Sequence, residues 1–453
     1  MTSDHACHET NTPLPPNEDA PPAPADPVSV TALAEKGLRL GLVDTSDRDA
    51  FARWLQCESR GFHDKTVDPA RMTQMVEGLS YRRTVGVWDA SAADPLSPVA
   101  TASSWPAALT MPGGASCDAW AISAVTVSPT HRRRGIARAL LEGELRAAHA
   151  QGCPIAVLTV SEATIYTRYG FAPTAMIANL SVDTKRISWA GPEAKGRVHF
   201  VSPDTLYADG RALVDAAHRA TPGMIEMDDL HWRGALGLAG DPETAKSLRC
   251  VRYDDDRGTP TGFAVYRVDE SSEDAGRTLE VSLLMALTDD ASAGLWRFLI
   301  ETDLVDTVTA PLRRVDEPLP WQLSDPRSVT KTVERDHLWS RILDIPAVLE
   351  SRTYATAGTV ELAVSDPLGF TAGTYLLVVD DAGRATVTSG DAGSQASAHR
   401  VRLSINELSA IASGGVSAVM LARAGRVHGA SEAVDALDTL FRTPTAPWLG
   451  FWF

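Results

Sequence analysis

The apolar and polar positions sort the chain into three stretches. From Leu38, the segment RLGLVDTSDRDAFARWLQCESRGF predicts a strand, a polar turn and an amphipathic helix. Between Tyr81 and Val127 the runs Thr84–Trp88, Val99–Trp105 and Trp120–Val127 read as strands, parted by turn signals at Asp94-Pro95 and Pro112-Gly113-Gly114. A helical period starts at Ile136 and continues through Leu140, Leu141, Leu145 and Ala148. The strand Ile155–Val160 follows, then a short helix through Ile165 and Tyr166 and an exit at Tyr169-Gly170-Phe171. This order predicts a mixed α/β domain over residues 35–185.

A second α/β stretch spans 186–344. It carries a helix from Asp204 to Ala220, strands Arg249–Tyr253, Gly262–Val268 and Leu279–Ala286, and a helix Ala291–Ile300. Strand, strand, strand, helix repeats the order of the first domain, but no basic loop precedes the last helix, so the stretch reads as a duplication that has lost its site. From 345 to 453 the runs Val360–Val364, Gly373–Val379 and Arg384–Val387 predict an antiparallel sheet. Arg400–Leu403 follows, then helices Ser404–Ser413 and Ser431–Phe441, together a small α+β domain. Residues 1–34 hold seven prolines and five acids with no lysine or arginine. Such a segment buries too little apolar surface to offset its ordering entropy, so it reads as a disordered leader, with order beginning near Leu38.

Charge narrows the functions. With 42 basic and 58 acidic residues the net charge is -16, which repels nucleic-acid phosphates and anionic membranes and favours cationic small molecules or basic partners. No apolar run reaches the length of a membrane span. Cys7, Cys57, Cys117, Cys153 and Cys250 are odd in number and form no CxxC pair, which favours a reducing cytoplasm. His5, Cys7 and His8 have ligand chemistry but nothing to preorganise them, and no metal is expected.

The most informative stretch is VTVSPTHRRRGIAR, Val125 to Arg138. A strand runs into a basic loop, and Gly135 opens the long helix. Unpaired N–H groups at a helix start suit a pyrophosphate, arginines add donors, and a glycine lets the main chain come close.

This stretch resembles the acyl-CoA-binding signature of the GCN5-related N-acetyltransferases (GNAT), Gln/Arg-x-x-Gly-x-Gly/Ala, which Arg132, Gly135 and Ala137 match. The segment SEATIYTRYGF from Ser161 is similar to the family's downstream half. With the SPTHRRRG loop, the tandem α/β stretches and the aromatic C-terminus, it narrows the resemblance to the enhanced-intracellular-survival (Eis) acetyltransferases. The resemblance implies two tandem GNAT-type domains, the second degenerate, and a sterol-carrier-like C-terminal domain, assembled as a homo-hexamer. It implies acetyl-CoA as co-substrate and acetylation of primary amines of polycationic, aminoglycoside-like molecules. A non-catalytic acyl-CoA- or lipid-binding scaffold is the alternative.

By the same resemblance, Val125, Thr126 and Val127 would border the pantetheine arm. Arg133, Arg134, Gly135, Ile136, Ala137 and Arg138 would cradle the pyrophosphate, and Ser161 and Glu162 would contact the cofactor. Tyr166 would be the general acid and the main-chain carboxylate of Phe453 the general base. Burial of the aromatic tail would raise that carboxylate above its ordinary range of about 3.3–3.7 and make it more basic. Trp54, Phe62 and Trp105 are aromatic candidates for an amine pocket, with core packing the competing role.

Overall fold

The computed structural model describes residues 23–185, 187–269, 276–390 and 399–453. Its centre is a sheet of β1 (Leu38–Leu42), β2 (Arg83–Asp89), β3 (Ala100–Thr110), β4 (Ser116–Val127), β5 (Ile155–Thr159), β6 (Ala172–Asp183), β7 (Arg197–Val201), β8 (Leu248–Asp254), β9 (Pro260–Asp269), β10 (Thr278–Ala286), β11 (Thr307–Arg313) and β12 (Val329–Ile342). The spatial order is β1-β2-β3-β4-β5-β12-β6-β11-β10-β9-β8-β7. The two α/β stretches therefore share one continuous sheet. The late strand β12 lies between β5 and β6, pairing Leu338 with Thr159 and Ser340 with Ala172. The stretch 186–344 thus lends a strand to the domain that ends in sequence near 185.

The third domain has a second sheet made of β13 (Gly358–Ser365), β14 (Gly373–Val379), β15 (Ala385–Ser389), β16 (Arg400–Ser404) and β17 (His428–Gly429), in the order β15-β14-β13-β16-β17. The three runs expected to form an antiparallel sheet do so, β13 pairing with β14 and β14 with β15, and the later run joins the other edge of β13. β13 and β16 run parallel, Leu362 opposite Val401, because the chain returns on the side of β13 away from β14. Arg341 of β12 reaches the fully buried Asp366 just beyond β13 through two 2.7 Å contacts. The carboxylate also accepts the N–H groups of Leu368 and Thr371, so the buried pair is well solvated by protein groups. It fastens the third domain to the main sheet.

The disordered leader also needs correction. Residues 1–22, with His5, Cys7 and His8, lie outside the described residues, but residues 23–34 are folded. Pro27–Ala34 is a helix with Pro27 in its first turn and Asp26 as N-cap, accepting from Ser29 N–H. Asp26 forks onto Arg146, Arg83 donates to the carbonyls of Ala23 and Pro24, and Leu33 is fully buried. A composition argument counts apolar surface; it misses ordering supplied by ion pairs and backbone carbonyls.

Candidate active site

β4 and β5 are parallel neighbours only at Ala119–Ile155, Trp120–Ala156 and Ala121–Val157. Beyond that point they separate, leaving Ile122–Val127 without a strand partner on that edge. A bulge aids the parting: the β3–β4 register shifts between Thr101 and Ser103, and Ala124 sits at φ 56°. Thr101 Oγ1 donates to the Ala124 carbonyl at 2.7 Å, which pins the bulge. Thr126 turns its side chain away, onto Thr101 and Gly61, while Val125 lines the opening and Val127 is half-buried. The free strand edge is what an extended amide arm can pair with.

At the end of β4 the chain makes a short turn, Pro129–His131, and the helix Ile136–Ala150 begins at Gly135 with φ 77° and no side-chain cap. Arg133 also has positive φ, 62°. Left-handed residues next to an uncapped helix start turn successive N–H groups outward as an anion-binding concavity. Arg132, Arg133 and Arg138 are exposed, although Arg138 also bonds Glu142 at 2.7 Å. Arg134 is used differently from its neighbours. Its guanidinium turns back to Asp89 at 3.2 Å and the Lys36 carbonyl at 2.9 Å, while Lys36 donates to the Arg134 carbonyl. His131 joins the same carboxylate at 3.1 Å, so Asp89 braces the loop from behind. Arg134 and Ile136 therefore bring only backbone N–H groups to the cradle.

Where the strands part, a cavity of about 740 Å³ opens. Leu158, Thr159, Val160 and Ser161 form one wall with Tyr166, from the short helix Ala163–Tyr166. Burial pushes the Tyr166 phenol above its ordinary value; the Ser161 hydroxyl draws it back in part and Glu162 raises it again. A phenol so placed stays protonated at neutral pH and can donate. Ser161 and Glu162 are exposed, and Glu162 is the residue that precedes the helix.

The C-terminal tail reaches the same cavity across both other parts of the molecule. Trp448 N–H donates to Pro222 O at 2.8 Å and its indole to Leu312 O at 2.7 Å. His337 Nε2 donates to Phe451 O at 2.8 Å, and burial holds this imidazole neutral by pushing its pKa down to about 4. Thr159 Oγ1 donates to the terminal carboxylate of Phe453 at 3.1 Å. The Phe453 ring stands edge-on to Trp105, centroids 5.6 Å apart. Phe453 and Tyr166 thus line one cavity.

Of the aromatic candidates, Trp54 and Phe62 line the cavity, while Trp105 is buried behind Phe453 beneath the Arg82 guanidinium, 3.9 Å above its ring. Sequence reading missed Glu58. It lies on the helix Arg48–Gly61 in register with Phe51, Trp54 and Leu55, and all four face the cavity. A carboxylate at the i+7 position of an otherwise apolar stripe was the available signal. Also missed were Leu230 and His231, from the second domain's helix Asp229–Ala235, which close another wall.

The corresponding helix start in the second domain is closed. Thr288 caps Asp289–Ile300, and Asp289 and Asp290 fill its first turn. Asp290 accepts from the Lys195 N–H and from the Tyr253 hydroxyl, so the strand-to-helix corner is neutralised from within.

Comparisons with known proteins agree with this geometry. Residues 43–174 and 223–343 each match an acetyltransferase (GNAT) domain model, and residues 345–450 match a sterol carrier protein domain. An N-acetyltransferase of Streptomyces avermitilis is 34% identical over 410 residues, covering 88% of this chain and 95% of its own. The N-acetyltransferase Eis of Mycobacterium tuberculosis is 32% identical over 361 residues, covering 76% and 83%. The chain belongs to the Eis-like family of GCN5-related N-acetyltransferases.

The crystal structure of Eis1 from Mycobacterium abscessus matches with a TM-score of 0.75 at 27% identity, over 92% of this chain and all of that one. As an Eis-like N-acetyltransferase, the protein has acetyl-CoA as the donor implied by its fold and an amine as acceptor. The exposed arginines, the uncapped helix start at Gly135 and the free edge of β4 fit that donor's pyrophosphate and pantetheine in turn.

Proposed function

We propose that the protein acetylates a primary amine of a small cationic molecule by direct attack on the acetyl-CoA thioester, with Tyr166 as acid and the Phe453 carboxylate as base. The observation that carries this reading is that one cavity, at the parting of β4 and β5, is lined by both residues. Bound there, acetyl-CoA supplies an activated carbonyl. The amine nitrogen forms a bond to that carbonyl carbon, the C–S bond breaks, and its electron pair leaves on sulfur. Tyr166 delivers a proton to the thiolate, and the Phe453 carboxylate takes one from nitrogen. The loop Arg133–Arg138, with Ser161 and Glu162 beside it, orients the donor.

Aminoglycoside-like polycations are the acceptors suggested by the resemblance, and the net charge of -16 supports cation capture. The reading includes a homo-oligomer, a hexamer by resemblance, for which Phe200, Leu304 and Trp321, 68%, 75% and 86% exposed, offer apolar surface. It also places the protein in the cytoplasm, which the unpaired buried Cys57, Cys117, Cys153 and Cys250 favour. No helix among the described residues is long and apolar enough to cross a membrane. The lipid-scaffold alternative gains less. The third domain's groove of about 830 Å³ is edged by Arg402, Glu407, Arg426 and His428, charged or polar groups that an acyl chain would have to desolvate.

Incubation with acetyl-CoA, an amine panel and a thiol reagent, with mass spectrometry of the products, tests the proposal. Thiol release with acetylated amine is expected; no release with any amine would overturn it.

A further inference from the structure

An ammonium loses two protons on its way to an amide: one to expose the lone pair, and one after the new C–N bond has formed. Tyr166 and the Phe453 carboxylate account for the leaving thiolate and one of these protons, which leaves the other without an acceptor. Resting on the acetyltransfer reading above, we propose that Glu58 binds the ammonium of the acceptor that is to be acetylated and takes its first proton.

Position is the first argument. Glu58 shares its helix face with Phe51, Trp54 and Leu55, and with them lines the cavity that holds Tyr166 and Phe453. A carboxylate kept half-buried for structural reasons would be paired. Among the described residues, the Glu58 carboxylate has no hydrogen bond or ion pair.

The charged groups around it explain why. Arg82 is near enough to act on Glu58, but it is held by Asp228 at 2.9 Å and stacked on Trp105, and His231 takes the other Asp228 oxygen at 2.7 Å. Arg71 bonds Gln74, and Arg335 lies 5.6 Å from the Trp452 ring centre. Burial, with Asp64 adding to it and Arg82 opposing, pushes the Glu58 carboxyl up to about 7. A base of that strength is half-ionised near neutrality, where proton acceptance is most effective.

The lining also sets the ligand class. Phe51, Trp54, Phe62 and Trp452 offer aromatic walls, against which a cation with an apolar body is well placed.

The experiment compares the full-length protein with Glu58→Gln and Glu58→Asp, using 2-phenylethylamine and tobramycin as probes. In the wild type, kcat/KM for either probe should rise with pH through about 7. Glu58→Gln should lower kcat/KM for 2-phenylethylamine by on the order of 10²-fold and flatten that limb, with acetyl-CoA binding unchanged by calorimetry. Glu58→Asp should retain the limb. A Glu58→Gln enzyme with wild-type kcat/KM and pH limb would overturn the proposal. Calorimetry of 2-phenylethylamine binding separates the two readings. Glu58-dependent binding in a wild type that acetylates no amine removes the acetyltransfer reading and keeps the ammonium subsite; binding indifferent to Glu58→Gln removes the subsite.

Discussion

The two GNAT domains repeat a strand-to-helix corner, and they treat its dipole in opposite ways. In the first, β4 leads through exposed Arg132 and Arg133 to a glycine at φ 77°, and the helix Ile136–Ala150 begins with no side-chain cap. In the second, β10 leads to Thr288, which caps the helix Asp289–Ile300, and to two aspartates that neutralise its first turn. The positive end of a helix attracts whichever anion is nearest. Where the chain supplies that anion itself, the corner stabilises the fold; where it supplies guanidiniums and a glycine, the corner is left for a phosphate. One fold thus serves once as the proposed donor site and once as support. The support still borders the proposed site, because Leu230 and His231 wall the cavity lined by Tyr166 and Phe453, and Trp448 anchors the tail on Pro222 and Leu312.

The sharpest way to break this contrast is Gly135→Val. The position has φ 77°, and a Cβ there would meet Lys36 Nζ at 2.8 Å. A β-branched residue resists that backbone, so the cradle of N–H groups should be lost while β4 and the helix remain. Calorimetry should show acyl-CoA binding weakened by more than about 10²-fold with no second site emerging. Unchanged affinity would mean that the pyrophosphate lies elsewhere.

Tyr166→Phe tests the chemistry at the same end of the sheet. It deletes one hydroxyl and leaves the ring against Phe171, so acyl-CoA affinity should hold while kcat falls on the order of 10²-fold. Full turnover across the pH range would assign the proton to another group. A smaller loss, about 10-fold or more, is expected when a C-terminal tag displaces the Phe453 carboxylate from Thr159, whereas Phe453→Leu should cost less. An N-terminally tagged enzyme is the reference; equal rates for the two tagged forms would remove the terminal carboxylate from the mechanism.

The sequence was most legible where function leaves a local trace. The loop around Gly135 and the segment through Tyr166 are contiguous, so each carried its resemblance to the family in a single stretch of sequence. The aromatic end at Phe453 was conspicuous because termini are seldom apolar. What could not be read depended on partners distant in the chain. The insertion of β12 between β5 and β6 joins residues some 170 positions apart. The folding of residues 23–34 rests on Arg83 and Arg146, and the parallel β13–β16 pair rests on a crossover. Glu58 was hidden for another reason: its helix period was visible, but a carboxylate in an apolar stripe gains meaning only once the stripe is known to face a cavity.

The smallest expected effect sharpens the contrast from the support side. Burial would raise the pKa of Asp290, but the Tyr253 hydroxyl and the Lys195 N–H hold it below its ordinary value. Because the folded pKa is depressed, the stabilisation is present above the unfolded value near 3.8 and is lost as pH falls through the folded one. Asp290→Asn keeps the shape and removes the charge. At pH 7 it should lower stability by about 1 kcal/mol, the scale of weakened charge-assisted hydrogen bonds. Near pH 3 the gap to wild type should narrow, since the carboxyl of the unfolded chain, with its value near 3.8, is then largely protonated and favours unfolding of the wild type. Acyl-CoA should still bind once per chain with the same affinity, because opening one carboxylate supplies neither the glycine nor the arginines of the first corner. Denaturation at the two pH values, with calorimetric titration of acyl-CoA, checks both parts. A second equivalent of acyl-CoA bound by Asp290→Asn would show that charge alone separates the two corners, and that their backbones are interchangeable.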